Sequence, residues 1–248
     1  MKRTPTRELL DEGLVSPADR LDCLDDIWRI NRRWGGISGA LHLFDRFFAR
    51  TGAHPVRVLD VGAGDGRLAA HLRQRLADQN VEAKFYVLDR QFVHLQGNGR
   101  EGPGANRVVA DVLSPPFRPS SFEVVMCNLF LHHFSGDAAR QMLRALAAMA
   151  REAVIINDLD RQWLPYLLIR YAPLIARHPI SRLDGAASVR QAYTRSELAG
   201  LAAEVHSGAL EVFPLPGFRN GLILWKTPGT LQHKAHGELT QAAGIGKR

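Results

Sequence analysis

The sequence lacks the features that mark a secreted or membrane-spanning protein. Its two cysteines, Cys23 and Cys127, are far apart in the chain, so neither a disulfide framework nor a CxxC metal site is indicated. No metal ligand set is predicted. No apolar run approaches the roughly 18 residues of a membrane-spanning helix. The opening residues, MKRTPTREL, are not followed by an apolar signal-peptide segment. We therefore expect a cytoplasmic protein.

Internal repeats are also absent, and the net charge of +7 is unevenly distributed. Residues 161–195 contain six arginines and a single acidic residue, Asp184. A basic segment of this kind suits an acidic small molecule as well as the phosphate backbone of a nucleic acid. Charge alone therefore leaves both kinds of partner open.

The middle of the chain alternates between short β-rich runs and helical patterns, as in a single α/β domain. Five strands are predicted at 56–61, 83–89, 106–111, the start of 121–134, and 152–158. Two more follow at 208–215 and 220–226. Strands separated by helical crossovers pair in parallel, and their nearly continuous apolar content indicates that helices cover both faces of the sheet.

Four regions follow from this pattern. Residues 1–50 are predicted to form a helical N-terminal cap, and residues 51–227 the α/β domain. Within that domain, residues 161–195 form an insertion after the fifth strand that covers a substrate. A helical pattern is followed there by a predicted loop at 180–193, and residues 228–248 are expected to be a flexible tail.

The segment VLDVGAGDG, residues 58–66, joins the first strand to a helix through three glycines. Its GxGxG spacing differs from the GxGxxG spacing that places a pyrophosphate on a helix N-terminus. A tight turn that binds no ligand can also have the GxGxG spacing. Asp60 ends the strand, and a carboxylate there suits a cationic ligand. Asp89 and Asp111 end the next two strands, so the three acids are expected at the carboxyl edge of the sheet, where α/β proteins bind ligands.

At this point the sequence resembles the class I S-adenosylmethionine-dependent methyltransferases. Four segments carry the resemblance in order: VLDVGAGDG, YVLDRQ (86–91), VADVLSPPF (109–117) and FEVVMCNLFLHHF (122–134). The resemblance implies a seven-stranded, Rossmann-like, doubly wound sheet whose last strand is antiparallel. It also implies S-adenosyl-L-methionine as the cofactor. The methionine moiety would contact Asp60, Gly62, Ala63, Gly64 and Gly66, and the ribose would contact Asp89 and Arg90. The adenine would contact Asp111 and Val112, and Asn128 and Leu129 would form the floor of the site.

The NLFLHHF segment (128–134) resembles the subgroup that methylates small molecules, including quinones and natural products. Methylation of oxygen is favoured over carbon, on an aromatic or polyketide-like acceptor. The Asn/Asp-Pro-Pro-aromatic motif of nucleic-acid amino methyltransferases is absent at this point. An RNA-modifying methyltransferase and a non-catalytic cofactor-binding protein remain the alternatives.

Histidine suits the base that a phenol or an enolisable carbon requires. His133 is the preferred candidate and His132 the second, although either could instead begin a helix or pack against the cofactor. Asp158, after the fifth strand, is predicted to act as a base, an orienting group or a helix cap.

The insertion at 161–195 supplies the expected acceptor site. Its aromatic and cationic side chains suit a planar, partly anionic acceptor, and the residues predicted to bind it are Trp163, Tyr166, Arg170 and Tyr193. The same sequence is typical of an amphipathic helix with a solvated arginine face. Its leucine content also leaves peripheral contact with a membrane surface open.

Overall fold

The computed structural model describes residues 1–10, 12–13, 15–96 and 105–226. The predicted tail at 228–248 lies outside the described residues.

The described residues form one seven-stranded sheet with the strand order β3-β2-β1-β4-β5-β7-β6. Strand β7 is antiparallel to β5 and β6, while the pairs from β3 across to β5 are parallel. This confirms the predicted doubly wound α/β fold with a reversed last strand. The strands are β1 (Val56–Val61), β2 (Ala83–Asp89), β3 (Asn106–Val109), β4 (Phe122–Asn128), β5 (Ala150–Leu159), β6 (Leu210–Leu215) and β7 (Arg219–Trp225).

Eight α-helices accompany the sheet in the described part of the chain. Their bounds are α1 (Pro17–Arg33), α2 (Gly36–Thr51), α3 (Arg67–Asp78), α4 (Phe92–Gln96), α5 (Gly136–Met149), α6 (Trp163–Tyr171), α7 (Pro179–Gln191) and α8 (Arg195–Val205). Side chains cap the N-termini of α1 and α8: Ser16 accepts from the backbone N–H of Asp19 at α1, and Thr194 and Glu197 form a capping box at α8.

Helices cover both faces of the sheet, which explains why its central strands are apolar throughout. On one face, Phe44 and Phe47 of α2 pack with Leu72 of α3. On the other, Leu143 of α5 packs with Leu198 of α8. Helix α2 is therefore part of the main core, whereas α1 lies across the carboxyl edge of the sheet and lines the cavity described below.

Helix α7 corrects the loop predicted at 180–193. Pro179 occupies its first turn, and the His178 ring accepts from the backbone N–H of Ile180. The face that α7 buries is largely polar, so hydrophobic periodicity gave no helical signal there. Its buried polar residues are Ser181, Asp184, Ser188 and Gln191.

Leu72 is fully buried against the sheet, whereas Leu174 is 90% exposed, and both can be truncated to alanine. We expect Leu72→Ala to lower the free energy of unfolding by about 2–5 kcal/mol, because a cavity replaces its packing. Leu174→Ala should change it by less than about 0.5 kcal/mol. Chemical denaturation measures both, and equal losses would contradict the core assignment.

Candidate functional site

The glycine turn after β1 has a backbone that other residues would strain. Gly62, Gly64 and Gly66 all have positive φ. A Cβ on Gly62 would lie 2.3 Å from the ring of Phe130, so this position has no room for a side chain. A Cβ on Gly64 would meet no atom closer than 3.9 Å, on Leu24. Backbone at Gly64 is therefore open to a ligand, while Gly66 is buried and begins α3.

Asp60 and Asp89 lie at the ends of β1 and β2 and Asp111 lies two residues after β3, and the environments of the three acids differ. Asp60 is 2% exposed, and burial together with repulsion from Asp89 raises its pKa to about 8. Asp89 accepts hydrogen bonds from the backbone N–H groups of Gly64 (3.0 Å) and Gln91 (2.8 Å). Asp111 is exposed and accepts from the N–H of Leu113 (2.9 Å). Asp60 is thus the acid that most needs a cationic partner.

These residues surround a cavity of about 470 Å³, a size typical of small-molecule sites. Ten of the eleven residues predicted to bind the cofactor line its wall, the exception being Gly66. The ten are Asp60, Gly62, Ala63, Gly64, Asp89, Arg90, Asp111, Val112, Asn128 and Leu129. The structure therefore brings together what the sequence had placed in four separate segments.

His94 and Asp60, both in the cavity wall, suit an adenosyl cofactor, which carries a cation and hydroxyl groups. His94 lines the cavity, and its Nε2 is buried with no hydrogen-bond partner in the structure. A buried polar atom without a partner is costly unless a ligand supplies one. Buried Asp60 can in turn pair with a cation. The residues present therefore fit S-adenosylmethionine.

His132 is held between two carboxylates. Its Nδ1 lies 2.6 Å from Oδ1 of Asp158, its backbone N–H donates to Oδ2 of Asp158, and its Nε2 lies 3.7 Å from Oε1 of Glu8. Burial alone would lower the pKa of His132, but these two carboxylates raise it to about 10. The two carboxylates therefore favour the protonated form of His132, which is not the form that accepts a proton. Asp158 orients it and does not line the cavity.

Of the two adjacent histidines that line the cavity after β4, His133 is the more exposed. It is half-buried, lines the cavity, and also lines a second depression beside Glu8 and Arg90. Its ring lies 4.4 Å from that of His132, measured between centroids, in a stacked arrangement. The fixed His132 ring thus positions His133 at the cavity wall.

Residues 1–10, which we call the N-terminal strap, cross this end of the cavity. Arg3 donates to the backbone carbonyls of His132 (3.1 Å) and Phe134 (2.9 Å), and its guanidinium lies over the ring of Tyr193. Glu8 accepts at 2.6 Å from both Ser188 and Gln191 of α7. The strap therefore closes the cavity between the turn after β4 and α7.

Glu8, His132 and His133 have ligand atoms within 4.8 Å of one another, a spacing that can hold a metal ion. In this structure Oε1 of Glu8 already accepts from two side chains of α7, and Nδ1 of His132 is paired with Asp158, while Nε2 of His132 faces Glu8. We assign these groups no metal.

The four predicted acceptor-binding residues lie away from the wall of this cavity. None of Trp163, Tyr166, Arg170 and Tyr193 lines the cavity. Trp163 is 61% exposed, and the Tyr193 hydroxyl donates to the carbonyl of Phe134. The insertion instead contributes Ile169 and, from α7, Ser181, Asp184, Gly185 and Ser188.

Several residues of the wall were not identified from the sequence. Glu8 of the strap, His94 of α4, Asn31 of α1 and Arg219 of β7 all line the cavity. Each is far in sequence from the glycine turn or stands in a segment with no motif. Among these four residues, only Arg219 had a signal in the sequence, because it directly precedes the strand predicted at 220–226 and should therefore lie at an edge of the sheet.

Replacing Asp158 by asparagine removes the charge that favours protonated His132 while keeping a similar shape. We expect Asp158→Asn to lower the pKa of His132 from about 10, measured by NMR titration of the imidazole. Because the pKa of His132 is raised in the folded state, its ion pair contributes fully to the free energy of unfolding below about pH 6.5. This contribution is lost as the pH rises through about 10. The variant should lose part of that pH dependence.

Asp137→Asn is the matched control, because Asp137 is exposed and pairs with Arg140. It should leave the pKa of His132 unchanged. An unchanged His132 pKa in Asp158→Asn would contradict the ion pair.

Comparison with known proteins places this site in a recognisable domain. Residues 58–153 match the model of a family described as a methyltransferase domain. No curated protein matches the sequence. No helix of the described residues is both long and apolar enough to cross a membrane.

Solved structures share the fold at low sequence identity. The plantazolicin methyltransferase BpumL in complex with SAH aligns with a TM-score of 0.66 and 15% identity, over 88% of this chain and 94% of its own. A SAM-dependent methyltransferase from Aquifex aeolicus gives 0.58 and 16%, over 84% and 97%. A family 2 O-methyltransferase from Planctomyces limnophilus in complex with apigenin gives 0.52 and 15%, over 69% and 50%. The chain has the fold of these enzymes, and its residues 58–153 are similar to a methyltransferase domain.

Proposed function

We propose that the protein is an S-adenosylmethionine-dependent methyltransferase that methylates a small aromatic or polyketide-like acceptor, on oxygen in preference to carbon. The observation that carries this proposal is the cavity at the carboxyl edge, where buried Asp60 lies beside the open Gly64 backbone and Asp89. The match of residues 58–153 to a methyltransferase domain supports it.

The neighbours support a small acceptor. BpumL was crystallised with SAH and azole analogues of desmethylPZN, and the Planctomyces limnophilus enzyme with apigenin. These bound molecules contain planar rings. The cavity of this chain offers apolar contacts to such rings, because α1 contributes Leu24 and Ile27 to its wall and the insertion contributes Ile169.

When bound, the cofactor supplies an electrophilic methyl group. The protein then has to orient the acceptor, exclude water and remove a proton. His133, at the cavity wall, takes the proton of an acceptor hydroxyl. His132 holds the neighbouring ring by stacking and is itself fixed by Asp158, while the N-terminal strap limits the entry of water.

An RNA acceptor is less consistent with the contacts of the basic segment. Arg161 is buried and donates to the carbonyls of Met1 and Ala192 and to Glu197. Arg182 donates to the carbonyls of Ala176 and Arg177. Part of the positive charge at 161–195 therefore stabilises the fold. Retention of RNA at low salt, lost at high salt, would favour the RNA alternative.

Transfer of a radiolabelled methyl group tests the activity directly. We expect the protein to label at least one member of a panel of phenols, quinones and polyketide acids. Binding of S-adenosylhomocysteine without labelling of any panel member or of RNA would instead favour the non-catalytic alternative.

His133→Gln is expected to lower kcat roughly 100- to 10,000-fold while the affinity for S-adenosylhomocysteine stays unchanged, because only proton removal is lost. Steady-state kinetics and calorimetry measure the two quantities. His42→Gln is the matched control, since His42 is exposed and lies away from the cavity wall. A kcat within two-fold of the wild type in His133→Gln would eliminate His133 as the base.

Asp60 makes cofactor binding depend on pH. Its pKa of about 8 means that the carboxyl is largely protonated at pH 7 in the free protein, and pairing with a cation requires it to ionise. We expect cofactor affinity to increase from pH 6.5 to 9, and binding at pH 7 to release a proton from this carboxyl. Calorimetry in buffers of different ionisation enthalpy counts the protons.

Asp60→Asn cannot ionise and should lose this proton release along with most of the affinity. Asp65→Asn is a control at the same cavity and should keep the proton release, because Asp65 pairs with Arg67. The same proton release in Asp60→Asn and the wild type would refute this role of Asp60.

A further inference from the structure

Arg219 is a buried cation at the far end of the same cavity. It begins β7 and pairs in register with Leu159, the last residue of β5. Because β7 is antiparallel, its first residue lies at the carboxyl edge of the sheet. Arg219 is 2% exposed and lines the cavity together with Leu159, Asn31 and Ile27.

Two of the three guanidinium nitrogens are fixed by hydrogen bonds. Nε donates to the carbonyl of Trp34 at 3.0 Å, and Nη2 donates to Oδ1 of Asn31 at 3.2 Å. The turn after α1, which provides the Trp34 carbonyl, is closely packed. A Cβ on Gly35 would lie 1.9 Å from the carbonyl oxygen of Pro216, and a Cβ on Gly36 would lie 2.0 Å from Oδ1 of Asn31. The guanidinium is thus held in one orientation.

The third nitrogen, Nη1, is buried and has no hydrogen-bond partner among the described residues. Burial lowers the pKa of Arg219 to about 10 although Asp158 acts in the opposite direction, so the group remains charged at neutral pH. Neither fixed acceptor, the Trp34 carbonyl or the Asn31 amide, carries a charge. A buried charge with an unused donor is costly, and an anionic oxygen would satisfy both needs at once.

The position of Arg219 separates it from the cofactor groups. In the strand order, β4 and β5 lie between β1, which carries Asp60, and β7. Three strand spacings correspond to about 14 Å. The acids that suit the cofactor are on β1, β2 and the segment after β3, on the opposite side of β4. Arg219 therefore faces the part of the cavity left for the acceptor.

We propose that Arg219 binds an anionic oxygen of the acceptor, a carboxylate or an ionised phenol, and so selects anionic aromatic acids over neutral rings. This inference rests on the proposed function, in which the cavity holds a methyl acceptor. The residue responsible for the anion preference would then be a buried arginine of β7. Arg170 of α6, the cation that the sequence had favoured, does not line the cavity.

Two probes of nearly equal size, 2-hydroxybenzoate and 2-hydroxybenzamide, test the inference. Calorimetry with the wild type, with and without saturating S-adenosylhomocysteine, should show at least ten-fold tighter binding of the benzoate. Equal binding of the two probes, or binding of neither, would overturn the proposal. This comparison needs no variant and therefore does not depend on how a substitution affects folding.

Arg219→Met removes the charge and should abolish the preference for the benzoate, with the affinity for S-adenosylhomocysteine within two-fold of the wild type. Arg219→Lys, which keeps the charge, should retain part of the preference. Arg170→Met is the matched control and should retain all of it. A preference that persists in Arg219→Met would contradict the assignment.

Loss of cofactor affinity in folded Arg219→Met, with the probe preference intact, would mean that Arg219 binds the cofactor's own carboxylate, and this would also overturn the proposal. Failure of the wild type to bind S-adenosylhomocysteine would refute the proposed function. The anion preference would still be read in the cofactor-free titration, so the two failures are distinguishable.

Discussion

The buried ion pair between His132 and Asp158 is the interaction on which the arrangement of the site depends. It joins the end of β5 to the turn after β4, and Glu8 extends it to the N-terminal strap. Each carboxylate would be costly to bury alone, and so would the imidazolium. Together they fix the His132 ring, and with it the stacked ring of His133 and one end of the strap. Closure of the cavity and placement of the candidate base therefore have the same physical cause.

Charge is distributed unequally along the cavity. Asp89 lies at one end, where Asp60 adds a second negative charge when a bound cation ionises it, and the guanidinium of Arg219 makes the other end positive. Under the proposed function, a cation-bearing cofactor and an anionic acceptor would each be drawn to its own end. The two would then meet near β4, where Asn128, Leu129 and His133 line the wall. Electrostatics of this kind orients both ligands before any catalytic group acts.

Local patterns in the sequence were enough to predict the sheet and to select residues that the structure brings together in one cavity wall. Strands β1 and β2 have the predicted bounds, and the glycine turn with Asp60, Asp89 and Asp111 depends on residues close to strand ends. The acceptor side depends on contacts between distant segments. Glu8 reaches α7, and Arg219 reaches α1, across more than 170 residues. No periodicity or motif encodes such contacts, and the residue type of Trp163 does not reveal which way its helix faces.

Under the proposed function, the carboxyl edge of the sheet binds an adenosyl cofactor with its cationic end at Asp60 and its ribose at Asp89. A crystal structure of the protein with S-adenosylhomocysteine measures this most directly. The account predicts the ammonium group beside Asp60, the ribose hydroxyls on Asp89 and the adenine between Asp111 and Val112, with Arg219 left free of the ligand. Density for the ligand elsewhere, or in the reverse orientation, would contradict it.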